Sequence, residues 1–91
     1  MNKIEFGLLI RKLREAKNMS LRDLEKLVDV SFVNIAHIEN GRVVTSKKII
    51  KQLAKALDYD ADKLLAAADE IGEDVVKIIR KLPTAVPDFL R

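Results

Sequence analysis

Residues 20–41 read SLRDLEKLVDVSFVNIAHIENG, and the signals that start and stop helices stand close together in them. Ser20 is an N-cap serine with an acid, Asp23, three positions on, a short form of the capping box. Ser31 is a second N-cap serine. Asn40-Gly41 is a C-terminal signal, because glycine supplies the positive φ on which many helices end. Leu21, Leu24 and Val28 give the first segment a buried face, with Leu27 beside them. Ile35 and Ile38 do the same for the second, with Phe32 one turn earlier. The stretch predicts two helices of roughly eight residues each, joined by a tight turn at Val28-Asp29-Val30.

The flanks continue the pattern. Upstream, Phe6, Leu9, Ile10 and Leu13 form one apolar stripe on a helix from about Phe6 to Lys17, with Asn18 as a left-handed stop. Downstream, a loop at Val43-Val44-Thr45 leads to Ser46, the cap of a fourth helix from Lys47 to Leu57. Ile49, Ile50, Leu53, Ala54 and Leu57 are its apolar positions. Asp60 caps a fifth, Ala61 to about Ala68, through Leu64 and Leu65. Gly72 interrupts the periodicity, and a last helix from Glu73 to Lys81 sets Val75, Ile78, Ile79 and Leu82 on one side. Pro83 ends it, and Pro87 implies an extended tail to Arg91. No strand is needed. The expected class is all-α: a compact five-helix domain over residues 1–67, followed by one extra C-terminal helix and tail in 68–91.

Composition narrows the function. Ninety-one residues at 48% apolar content suit one self-folding domain. With no cysteine there is no disulfide and no thiolate nucleophile, and the one histidine makes a zinc site a poor prospect. Asp58, Asp60 and Asp62 imitate a calcium-loop spacing but lack its glycine and its closing glutamate, so they read as the cap and first turn of the fifth helix. There is no glycine-rich phosphate loop and no base beyond His37 to activate a nucleophile. No metal, no cofactor and no catalysis are expected. No apolar run is long enough to span a membrane, and no signal-peptide core precedes Arg11, which together point to the cytoplasm. Charge is uneven: residues 1–57 hold 12 basic and 6 acidic side chains, residues 58–91 hold 5 and 8. A basic front joined to an acidic end favours a polyanionic partner.

Two short helices around a tight turn are also the layout of a DNA-binding helix-turn-helix, although any αα-corner shares that spacing. The wider string is more specific. Ile10-Arg11-x-Leu13-Arg14, Lys17-x-Met19-Ser20, Leu24, Val30-Ser31, Ile35-x-x-Ile38-Glu39-Asn40-Gly41-Arg42 and Leu53-Ala54-Lys55-Ala56-Leu57 with Leu64-Leu65 together resemble the helix-turn-helix family of phage repressors, Cro proteins and XRE-type bacterial regulators. The likeness covers about Phe6–Ala67, and Ile-Glu-Asn-Gly is its most specific element.

That resemblance implies double-stranded DNA as partner, with helix 31–40 in the major groove. Phe32, Val33, Asn34, Ala36 and His37 are then its base-edge residues, since Ile35 and Ile38 face the core. Phe32 and Val33 make no hydrogen bonds, so their readout would be of thymine methyls, unless Phe32 packs against the preceding helix instead. Asn34 suits adenine, and His37 suits a guanine N7 or a phosphate. Phosphate contacts are implied for Ser20 with the N–H groups of Leu21 and Arg22, and for Asn40, Arg42, Lys47 and Lys48; a solvated face is the alternative for the lysines. Arg14 and Glu39 are implied as a structural ion pair. The family's usual Gln stands as Leu21 here, its usual Ala as Glu25 and Val28, and its usual Gly as Asp29. Asp29 is accordingly expected at positive φ, and Glu25 at the rim with its carboxylate in water.

The implied role is a transcriptional regulator, a repressor acting as a homodimer. Leu65, Ile71, Val75, Ile78, Ile79 and Leu82 are the dimer-interface candidates, or else a stripe folded onto the chain's own core. A different class of function keeps the scaffold but offers the apolar Phe32/Val33 surface to a protein, such as a toxin or RNA polymerase.

Overall fold

Capping explains where each helix begins. The computed structural model describes residues 1–81, with side chains as far as Ile71. It holds α1 (Lys3–Ala16), α2 (Leu21–Glu25), α3 (Phe32–Glu39), α4 (Lys47–Ala56) and α5 (Ala61–Lys81), with no strand among the described residues. The serines at 20, 31 and 46 each accept a hydrogen bond from the N–H three residues on, and Asp60 accepts from Lys63 at 3.1 Å. Asn2 and Glu5 form a reciprocal capping box, which starts α1 three residues before the apolar stripe does.

Three helices end in one way. The N–H groups of Asn18 and Met19 return to Glu15 and Arg14, those of Gly41 and Arg42 to Ile38 and His37, and those of Asp58 and Tyr59 to Lys55 and Ala54. This double closure is the Schellman motif, which needs a left-handed residue. Asn18 (φ 56°), Gly41 (φ 74°) and Asp58 (φ 54°) supply it.

Three expectations are corrected. The second helix is five residues rather than about eight, because the chain leaves the helical ladder at Lys26 and turns through residues 26–30. Asp29 therefore needs no positive φ and has none. Its N–H donates to Gln52 Oε1 at 2.7 Å and its carboxylate accepts from Gln52 Nε2 at 2.8 Å, a reciprocal clamp onto α4. Thirdly, Gly72 does not separate two helices. α5 runs unbroken to Lys81, so the expected boundary between residues 67 and 68 falls inside it. A glycine within a helix is unfavourable by only about 1 kcal/mol relative to alanine, too little by itself to end one.

The core gathers Phe6 and Ile10 from α1, Leu24 from α2, Ile35 and Ile38 from α3, Ile49, Ile50, Leu53 and Ala54 from α4, and Leu64, Ala68 and Ile71 from α5. α1 and α3 meet closely at Gly7, where a Cβ would lie 2.3 Å from the Ile38 carbonyl oxygen and 2.5 Å from that of Glu39. Among the described residues no helix is long and apolar enough to cross a membrane.

Candidate nucleic-acid interface

α3 is held along its inner side and open along its outer side. Ile35, Ile38 and Glu39 are buried. The Glu39 carboxylate takes two hydrogen bonds from Arg14, Nε to Oε2 at 2.7 Å and Nη2 to Oε1 at 3.0 Å, while Nη1 donates to the Met19 carbonyl at 2.7 Å. The two side chains are 12% and 6% exposed. One guanidinium thus joins α1, the loop after it and the end of α3, as its planar fork of donors allows. Hydrogen bonding to Glu39 is the main cause of a raised Arg14 pKa.

The five residues expected at base edges share the outer side. Val33 and Asn34 are exposed; Phe32, Ala36 and His37 are half-buried. Of the expected phosphate residues, Ser20, Arg22, Asn40, Arg42, Lys47 and Lys48 are exposed, and Leu21 is half-buried against the core. At the start of α2 the Ser20 hydroxyl accepts the Asp23 N–H and the Asp23 carboxylate accepts the Ser20 N–H. The N–H of Ser20, then its hydroxyl, hold the Asp23 pKa below the usual carboxylate value. Lys48 lies 3.7 Å from the Asp29 carboxylate, an exposed pair.

Two details of the turn bear on the expectations, one against them and one along the alternative given for Phe32. Glu25 does not leave its carboxylate in water: Oε2 accepts the backbone N–H of Phe32 at 2.7 Å, capping the first turn of α3. Arg22 places its guanidinium 4.5 Å from the centroid of the Phe32 ring, so Phe32 leans on α2 as well as on the outer surface. The sequence reading also missed Gln52, whose partner is 23 residues away. Among the dimer candidates, Ile71 is 2% exposed within the chain's own core, as the alternative reading of the stripe has it, and Leu65 is half-buried against that core. The side chains of Val75, Ile78 and Ile79, and Leu82 altogether, lie outside the described residues. No group of acidic or histidine side chains that would hold a metal ion occurs among the described residues.

Residues 10–64, from the middle of α1 into α5, match the family model described as helix-turn-helix. The chain belongs to the helix-turn-helix family. Within that family it is 37% identical over 67 residues to RghRB of Bacillus subtilis (strain 168), described as an uncharacterized HTH-type transcriptional regulator. The match takes in 72% of this chain but 48% of the relative, so the chain spans about half that protein's length. The crystal structure of the restriction-modification controller protein C.AhdI from Aeromonas hydrophila is similar with a TM-score of 0.62 and 33% identity, over 67% of this chain and 88% of that one. The clp gene regulator ClgR from C. glutamicum gives a TM-score of 0.62 at 25% identity, over 75% and 88%. The helix-turn-helix segment of the matched region is α2, the turn and α3.

Proposed function

We propose that this chain is a sequence-specific double-stranded DNA-binding transcriptional regulator, a repressor working as a homodimer with α3 in the major groove. The observation that carries this is the division of α3: its inner side is committed to the fold through Ile35, Ile38 and the Arg14–Glu39 pair, while Val33 and Asn34 are exposed and Phe32, Ala36 and His37 keep part of their surface open. Exposed cations at Arg42, Lys47 and Lys48 follow it in sequence and suit phosphates. The relatives named as regulators support the same role. In this reading the chain binds and performs no chemistry, and it acts in the cytoplasm, where the DNA lies. One eight-residue helix spans about 12 Å at ~1.5 Å per residue, so a second copy is needed to read a second half-site ~34 Å away.

Selection of bound duplexes from a random pool, at two salt concentrations, tests it. An inverted repeat with half-sites about one helical turn apart supports the dimeric regulator. Binding without enrichment that disappears by ~150 mM salt is attraction to phosphates alone and overturns it. A second reading, a protein-binding or antitoxin module, draws on Val33, an apolar side chain 48% exposed at the front of α3. It predicts that Val33→Lys abolishes capture of the partner protein and leaves any DNA binding in place.

A further inference from the structure

α2 grips the first residue of α3 twice. The Arg22 guanidinium lies over the Phe32 ring, 4.5 Å from its centroid, and Glu25 takes the Phe32 backbone N–H at 2.7 Å. Arg22 and Glu25 are three residues apart and so stand on one side of α2. The carboxylate fixes the backbone from which the ring projects, and the ring in turn limits the positions open to a side chain that would otherwise roam through many rotamers. Stacking engages the face of a guanidinium and leaves the N–H donors around its edge for another partner. Paired donors on such an edge match guanine O6 and N7, the commonest specific contact in the major groove. Beside it Val33, 48% exposed, offers only methyl groups. In the major groove their complement is the C5-methyl of a pyrimidine.

We propose that Arg22, Phe32 and Val33 form one reading unit for a C5-methylated pyrimidine next to a guanine: the ring positions the guanidinium for the guanine, and Phe32 and Val33 receive the neighbouring methyl group. This rests on the DNA-binding function proposed above. It makes Arg22, on the helix outside the groove, the reader of a base, and Phe32 its positioning residue. Thymine and 5-methylcytosine carry the same methyl group, and the two arms of the test tell these sources apart.

The test uses the full chain and the duplex it selects. Each thymine beside a guanine is replaced by uracil, and in parallel the same position is made cytosine or 5-methylcytosine opposite guanine. Losing one methyl should weaken binding about 4-fold in each pair. Replacing the guanine should weaken it by about 10- to 100-fold. Phe32→Leu, confirmed folded by circular dichroism, should lose most of the guanine preference, and Phe32→Tyr should retain it; Val33→Ala should erase the methyl effect. An effect with thymine only, or with 5-methylcytosine only, supports the unit and assigns its source. A duplex indifferent to both methyl groups, or a folded Phe32→Leu chain that discriminates guanine as before, overturns the proposal and leaves the DNA-binding function standing. Failure to select any duplex overturns both.

Discussion

A single added methyl at position 7 has nowhere to go. In Gly7→Ala the new carbon would meet the backbone of Ile38 and Glu39, and backbone cannot swing aside as a side chain end can. α1 and α3 would have to part, so the variant should lose about 2–3 kcal/mol in urea unfolding, the upper part of the usual range for overpacking. Arg14→Met leaves the Glu39 carboxylate buried without its partner and should cost about 3–5 kcal/mol in the same assay, whereas Arg14→Met with Glu39→Leu should recover much of that. Asp23 adds a pH dependence. Its pKa is lowered in the folded chain, so its capping box contributes above about pH 4, the ordinary carboxylate value, and fades as pH falls through the lowered one. Asp23→Asn should flatten the acid limb of a series of thermal melts; an unchanged limb would remove the box from the account. Residues of this kind differ in how far the sequence shows them. Ser20, Ser31 and Gly41 act on groups within four residues, and their roles could be read directly. Glu25 and Asp29 act on groups 7 and 23 residues away, which no local pattern specifies.

Among the helices, periodicity was a good guide to which faces are buried and a weaker guide to where helices end. All of Phe6, Ile10, Leu24, Ile35, Ile38, Leu53 and Leu64 lie in the core as their spacing required. α2 is short because the turn is stabilised from outside, by α4 through Gln52, and the apolar spacing of Val28 continues past the end of the helix. Gln52→Ala should therefore destabilise the chain by about 1 kcal/mol, and a double-mutant cycle with Asp29→Ala should show that the two effects are not additive. α5 continues through Gly72, a residue that local pattern alone marks as a stop. If residue 72 is an ordinary helical position, Gly72→Ala should raise stability by about 0.5–1 kcal/mol. A loss on this substitution would mean that the glycine is needed for itself.

For the molecule as a whole, the basic front and acidic end of the sequence divide between the region carrying α1 to α4 and the region of α5. Affinity for a duplex should fall with salt at a slope of about 0.9 in log units per phosphate neutralised. Arg42→Ala and Lys47→Ala should each lower that slope by about one. Lys48→Ala should lower it less, since Asp29 already stands 3.7 Å from that ammonium. The fold and the helix presented outward were legible because caps, stops and one apolar face recur in order along the chain. The composition of the reading surface was legible too; its geometry was not, because Arg22 and Phe32 meet only when α2 turns back on α3.

The bond between Arg14 and Glu39 also bears on how such a chain can change its target. Val33 and Asn34 touch little of the fold, so each can be exchanged alone and tried against a new operator. Arg14 is different: lysine lacks the planar fork that makes both bonds, and an uncharged replacement at either end strands a buried charge. Descendants would retain both residues or lose them together, and the frame would drift far more slowly than the surface it carries.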